Sequence, residues 1–483
     1  MRFLLFIVVS VLIANTANGQ TKTCNCESNY EWLKKTFEEN DAGFQYIIDK
    51  KGQAAYDIHN QLTLKKIKLA KTLTECDEIM DGWLKFFRSG HIGIIPLTIE
   101  IPNLQITNKK GDHETWNINI PQFEKHISEK AEASYEGIWT TGSLKSKIGI
   151  KKQGANYVAF NIDTTKKSVQ VILTITQDGD TLNTTYYAKG RSPYKIPNPK
   201  LIGNNYLQFG EWGMWKRLSP IFAEDSKKPA NEKYFKFLNS HKPYLEELNP
   251  TTLYLRIPSF NLNQKTAIDS VIAANKDKIL KTKNLIIDIR NGTGGTDYTY
   301  KELLPFLYTN PIRTPGTEFL STKLNNQQLI DILTKPEYHA FDEKKRQQIR
   351  ELYDKLQSRL GEFVPAEEEV NIKQQDTIYE YPKNVGIIIN HKNLSTDEQF
   401  LLEAKQSKKV KVFGTNTFGA LDISNIFSVD SPCKEFKLTY CLSRSLRIPD
   451  MVIDDIGIQP DYFLDKSIPE YKWVEFVNEI LNK

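Results

Sequence analysis

The chain changes its hydrophobic rhythm three times. After an apolar run from Phe3 to Ala14, residues from Asn29 to about Arg88 place Tyr30, Leu33, Phe37, Phe44 and Ile47, then Ile79, Trp83, Phe86 and Phe87, at three- and four-residue steps. That period predicts helices with one buried face. It stops at RSGHIGI, where Gly90 and Gly93 lie on either side of His91 and hold the histidine in a loop. From about Ile99 to Lys189 the rhythm becomes an alternation, in NYVAFNID, SVQVILTITQ and TLNTTYYAKG, with turn residues from Gln177 to Asp180 between them. Alternation of this kind predicts short strands, and so a small β-domain of barrel or sandwich type. The stretch RSPYKIPNPK then reads as a linker, with a boundary near residue 200.

Beyond Pro250 continuous apolar strands alternate with helices: TLYLRI, a helix from Lys265 to about Lys281, NLIIDIR, a helix from about Tyr298 to Tyr308, VGIIIN, a helix from about Thr396 to Ser407, and VKVFG. Strands without polar alternation, separated by helices, imply a mostly parallel sheet covered on both faces. A charged amphipathic stretch around residues 320–365 is not needed by that pattern and reads as a helical insertion, either a lid or a solvated helix pair. The expected organisation is therefore residues 1–19 as leader, 20–98 helical, 99–200 β-rich, 201–250 connecting, and 251–483 as an α/β domain.

Composition narrows this picture. With 25% charged and 40% hydrophobic residues the 483-residue chain is ordinary globular material, long enough for several domains of roughly 100 to 200 residues. Arg2, the apolar run and Ala17-Asn18-Gly19 make a secretory signal peptide, with cleavage expected before Gln20 and an exported, secreted or periplasmic product. No later stretch approaches the ~20 apolar residues of a membrane span. Removing Arg2 takes the net charge from +5 to 5 − 1 = +4, a slight excess that, without a basic stripe, argues against nucleic acid as a partner. Of Cys24, Cys26, Cys76, Cys433 and Cys441, the last two are expected to clip a hairpin, and Cys76 to pair with Cys24 or Cys26. No metal site or cofactor is expected, since Cys24-x-Cys26 lacks zinc spacing and a complementary pair.

Two loops that follow strands carry the candidate chemistry. In IIDIRNGTGGT, Gly292, Gly294 and Gly295 permit unusual backbone angles, so that several amides can point at one anionic spot. The spacing fails as a dinucleotide fingerprint and lacks the lysine of a phosphate loop, which leaves an oxyanion hole or an ordinary tight turn. In NLSTDEQF, Ser395 stands three residues before Glu398 in a capping-box pattern, yet it also follows a strand, where a nucleophile can be exposed. Such a serine needs a base. The histidines are His59, His91, His113, His126, His241, His339 and His391, and the loop setting of His91 suits a residue that reaches across from another segment.

Three blocks, NLIIDIRNGTGGT, NLSTDEQFLLEAKQSKKVKVFGTNTFGA and DDIGIQPDYFLD, resemble in order and spacing those of the tricorn and C-terminal-processing serine peptidase family, over about residues 251–483 with SGHIGI upstream. The resemblance implies a crotonase-like α/β core, beside the helical region and the separate small β-domain. The processing branch uses a Ser–Lys dyad, but the lysine position here is Ala420, after Thr417-Phe418-Gly419. The tricorn-like branch takes its base from a G-H-x-G loop and its acid from the block before G-x-x-P-D, which correspond here to His91 and Asp454. The family acid is usually glutamate and a bridging serine stands where Gly90 is found, so Ser89 or Asp455 are substitutes to consider. The implied chemistry is acyl transfer on a peptide or protein substrate. His91 activates Ser395, Asp454 orients His91, and the amides of Thr396 and of Gly294 or Gly295 hold the oxyanion. A ligand-binding protein on the same fold, as in the retinoid-binding branch, and a serine esterase are the alternatives; the esterase lacks a G-x-S-x-G elbow.

Overall fold

A computed structural model describes residues 25–97, 115–141, 147–162, 169–178, 181–187, 194–210, 213–222, 229–339 and 341–483. The leader, Cys24 and His113 lie outside the described residues. The chain forms two compact units, Met1–Glu100 with Asn425–Leu442, and Ile101–Ser424 with Ser443–Lys483.

In the first unit the helical period becomes four helices, Cys26–Asn40, Phe44–Lys51, Gln53–Ile67 and Leu73–Leu84. Asn25 caps the first helix by accepting from the Ser28 amide, and Thr72 with Glu75 closes a full capping box on the fourth. Their apolar stripes meet in an aromatic core, with Phe37 and Phe87 at 4.7 Å between ring centroids and Trp83 and Phe87 at 4.9 Å. A disulfide joins Cys26 to Cys76. The strand Gly93–Pro96 pairs antiparallel with Phe436–Thr439. The expected Cys433–Cys441 clip does not form: Cys433 is disulfide-bonded and Cys441 is a buried thiol outside any disulfide. Cys441 sits on the buried side of its strand, where its Sγ donates to the His91 carbonyl at 3.2 Å.

The second unit holds the β-rich stretch and the α/β sheet. Strands Gly137–Thr140, Lys147–Gln153, Asn156–Asn161, Val169–Asp178 and Thr181–Tyr186 run as an antiparallel meander. Among the described residues this is one sheet of open order, rather than a barrel or a two-layer sandwich. The stretch read as a linker contributes a strand, Tyr194–Ile196, paired to Thr181–Tyr186. Met214–Ser219 returns to pair with Gly137–Thr140, so the sheet continues past residue 200. Three-residue strands broken by prolines carry too little alternation to be read locally.

The α/β sheet has the order β1-β2-β3-β4-β5-β6, where β1 is Tyr244–Asn249, β2 Thr252–Arg256, β3 Asn284–Asp288, β4 Asn384–Ile389, β5 Val410–Gly414 and β6 Tyr462–Phe463. All neighbours are parallel except the β1–β2 hairpin. Successive residues feed opposite faces, as strand pleating requires. Leu253, Leu285, Ile287, Val385, Ile387 and Val412 pack with Ile268 and Ile272 of α1 (Lys265–Ile279) and with Phe400 and Leu401 of α2 (Thr396–Ala404). Tyr254, Ile286, Ile388 and Phe413 pack on the other face with Trp473, Val474 and Val477 of α3 (Trp473–Asn482). The helix expected over 298–308 shrinks to a 3-10 turn, Lys301–Leu303, and one helical turn, Leu304–Leu307. Pro305 has no amide to continue a longer helix and is tolerated only in a first turn. Between β3 and β4 lie helices Lys323–Asp331 and Glu343–Gln357, flanked by the strand pairs Ile312–Pro315 with Val370–Lys373 and Thr317–Leu320 with Phe363–Pro365.

Candidate active site

The parallel register places Asp288 of β3 beside Ile388 of β4, so the loops that follow these strands leave the same edge of the sheet side by side. Polar side chains then tie the two loops together. The Asn291 amide donates to Asn390 Oδ1 at 3.0 Å, Asn390 Nδ2 donates back to Asn291 Oδ1 at 2.8 Å, and Asn393 Nδ2 donates to the Ile289 carbonyl at 2.6 Å.

Ser395 closes the second loop with φ 60° and ψ −122°. A residue with a Cβ rarely holds a positive φ, and such strain persists only where its surroundings over-determine it. The surroundings here are Glu398 and the segment Thr417–Ala420. The Ser395 amide donates to the Ala420 carbonyl at 2.9 Å and to Glu398 Oε2 at 3.1 Å. The buried Glu398 carboxylate also accepts from Thr417 Oγ1 and from the Gly419 and Ala420 amides, at 2.5, 2.8 and 2.9 Å. Burial raises its pKa against the pull of those donors. The Glu398 amide meets the Ser395 carbonyl at 2.9 Å. Ser395 and Glu398 stand in capping-box geometry, with the Ser395 side chain facing the Glu398 amide and the Glu398 side chain bonded to the Ser395 amide. The glutamate therefore holds the turn through the Ser395 amide.

Gly294, at φ +77°, lies against the serine: a Cβ there would come within 2.7 Å of Ser395 Cβ and 3.2 Å of its Oγ. Only glycine admits that approach. Gly295, at φ +147°, is pinned to Phe260, whose carbonyl accepts from the Thr296 amide at 3.1 Å and would lie 2.1 Å from a Cβ on Gly295. Thr396 begins α2, so its amide is at the positive end of that helix. Among the described residues, neither the Gly295 nor the Thr396 amide donates to a backbone carbonyl. The Gly294 amide is directed at the buried Asp397 carboxyl, which burial pushes up to about 7 against hydrogen bonds from Asn393, Gly294 and Leu394.

Asp454 is fixed by reciprocal bonds. Its carboxylate accepts from the Leu421, Asp422 and Ile423 amides at 2.6, 2.7 and 3.3 Å, while Asp422 Oδ2 accepts from the Ile453 and Asp454 amides at 2.6 and 2.8 Å. Asp422 is itself ion-paired with buried Arg447 at 2.7 Å. Leu421 follows Ala420, the acceptor of the Ser395 amide, so this cluster and the serine turn share one short segment. Asp455, at φ 63°, donates its amide to the Gly419 carbonyl at 2.9 Å.

His91 belongs to the first unit, half-buried at φ 59°. Arg88 forms a bidentate pair with Asp41 at 2.8 and 2.7 Å and reaches the Gly90 and His91 carbonyls at 3.2 and 3.5 Å. Of the other described histidines, His59 stacks on Phe86 at 4.6 Å, and His126, His241, His339 and His391 are exposed. Within the second unit, then, Ser395, Gly294 and Thr396 come together, with Gly295 one residue along the same loop and Asp454 one segment away. The capping-box pattern gave the Glu398 bond to the Ser395 amide. Reading the sequence missed that carboxylate's hold on Thr417, Gly419 and Ala420, the Asp397 contact with the glycine turn, and the Arg88–Asp41 pair. Among the described residues no group of three or more His, Cys, Asp or Glu could hold a metal ion, and no helix is long and apolar enough to cross a membrane.

No curated protein matches the chain. The fold is similar to that of mature CPAF complexed with lactacystin, with a TM-score of 0.51 and 12% identity over 95% of this chain and 97% of that one. A CPAF mutant gives 0.52 and 12% over 95% and 96%. The photosystem II D1 C-terminal processing protease matches at 0.39, with 12% identity over 95% and 98%. At 12% identity the likeness to CPAF is one of fold. Residues 251–464, the stretch that carries the glycine turn, Ser395 and Asp454, match the profile of peptidase family S41.

Proposed function

We propose that the protein is an exported serine peptidase on a crotonase-like core, cleaving peptide bonds through an acyl-enzyme in the tricorn-like manner. The observation that carries this reading is Ser395 itself: a strained residue at a strand-to-helix turn, with a glycine turn packed against its side chain. In the reaction His91 takes the Ser395 proton as Oγ attacks the substrate carbonyl carbon, and the oxyanion settles on the Gly295 and Thr396 amides. His91 then returns the proton to the departing amine, and water, deprotonated in turn, releases the acyl group. Asp454 orients and charge-stabilises the imidazolium. A Ser–Lys dyad draws no support from position 420, a buried alanine. The Cys26–Cys76 disulfide supports export, because such bonds persist in oxidising compartments. No feature of the turn favours the ligand-binding or esterase alternatives.

The test is Ser395→Ala in the full chain, assayed with an unfolded protein substrate and a fluorophosphonate probe. Both hydrolysis and labelling are expected to vanish while the circular dichroism spectrum stays as it was. Labelling that survives the substitution would sink the assignment.

A further inference from the structure

The mechanism just described makes no use of Asp397, yet its carboxyl is the group around which the two loops close. The side chain is 1% exposed. Oδ2 accepts from Asn393 Nδ2 at 2.9 Å, and Oδ1 has no hydrogen-bond partner among the described residues. Gly292 sits directly on the carboxylate, where a Cβ would come within 2.4 Å of Oδ2, and the Gly294 amide is directed at the same group. Asn393 also holds the start of the glycine loop through the Ile289 carbonyl, so the serine loop grips the glycine loop at both ends. A buried charge with an unpaired oxygen is costly, a desolvation penalty that an uncharged side chain of the same shape does not carry. Stability alone therefore does not account for an aspartate here.

Resting on the serine-peptidase reading, we infer that Asp397 is a positioning residue: its carboxylate draws the Gly292–Gly294 backbone onto the Ser395 turn and so sets the oxyanion-binding amides. The ionised form, which only accepts, matches the donors around it; the protonated form brings an O–H for which no acceptor is placed. Burial holds the group near about 7, and the charged neighbour that adds to the rise is Glu398. Arg290, on the glycine loop, is taken up by Asp288 at 2.7 Å. The sign for stability follows from the raised value. The neutral form is favoured by folding, so its contribution is complete below the unfolded pKa and is lost as pH rises through about 7.

Asp397→Asn in the full chain tests this. At pH 8 kcat is expected to fall by about ten- to a hundredfold with KM little changed, while Tm holds or rises by ~2 °C. Below neutrality the ratio of wild-type to variant kcat is expected to shrink, because the protonated acid resembles the amide; the His91 titration cancels in that ratio. Amide hydrogen exchange over 290–296 is expected to quicken in the variant. An unchanged kcat, or activity and Tm falling together at every pH, would overturn the inference while leaving the peptidase reading intact. If the wild-type chain neither hydrolyses nor labels, that reading fails instead. The exchange measurement then decides alone: unaltered exchange over 290–296 refutes the positioning role, and quickened exchange upholds it.

Discussion

Ser395 and His91 are both held at positive φ, and they are held by different means. The serine is fixed from nearby, by a glutamate three residues on and by the Thr417–Ala420 segment that the same glutamate gathers in. The histidine is fixed from afar. Its carbonyl is gripped by Arg88, which is paired with Asp41, whose carboxylate in turn accepts from the Cys441 amide at 3.1 Å. In the first case carboxylate and backbone share one turn, so strain and restraint arise together. In the second the restraint is a buried ion pair between residues 41 and 88, which exists only once the helices have packed.

Substitutions at five positions test that contrast, in falling order of effect. Ser395→Ala is expected to lower peptide hydrolysis by at least about 10³-fold without moving Tm, which separates the reacting group from its restraints. Arg88→Met strands the buried Asp41 carboxylate and is expected to cost about 3–5 kcal/mol in urea unfolding; in a cycle with Asp41→Asn the double variant is expected to lose less than the two singles summed. Strict additivity there would show that the pair does not act as a unit. Gly294→Ala forces a Cβ against Ser395 at a positive φ and is expected to cost about 1–3 kcal/mol, with a fall in kcat at constant substrate affinity. Cys441→Ser keeps a donor near the His91 carbonyl, so thermal melts are expected to shift by less than ~1 kcal/mol.

Hydrophobic rhythm located the helical stretch from Cys26 to Leu84 as a whole, and β2, β3, β4 and β5 with errors of a residue or two, because burial on one or two faces is written into each element's own period. It failed where structure depends on remote partners. The strand Tyr194–Ile196 read as a linker, the 298–308 helix shortened at Pro305, and Cys433 and Cys441 did not pair. The candidate serine and the glycine turn were legible from residue type and position after strands. Asp397 was not, since nothing in NLSTDEQF distinguishes a buried aspartate from an exposed first-turn acid.

By itself, then, the sequence determined where the chain turns and which residues stand at the turns: glycines after one strand, a serine before a helix, a histidine between glycines. Those are local properties, set by backbone permissiveness and by the period of burial. The tertiary structure alone decided what each turn does. The parallel pairing of β3 with β4 brings Gly294 onto Ser395, and the desolvation of Glu398 and Asp397 converts two helix-start acids into clamps. Register and burial are sums over many distant contacts, so no short stretch of sequence contains them.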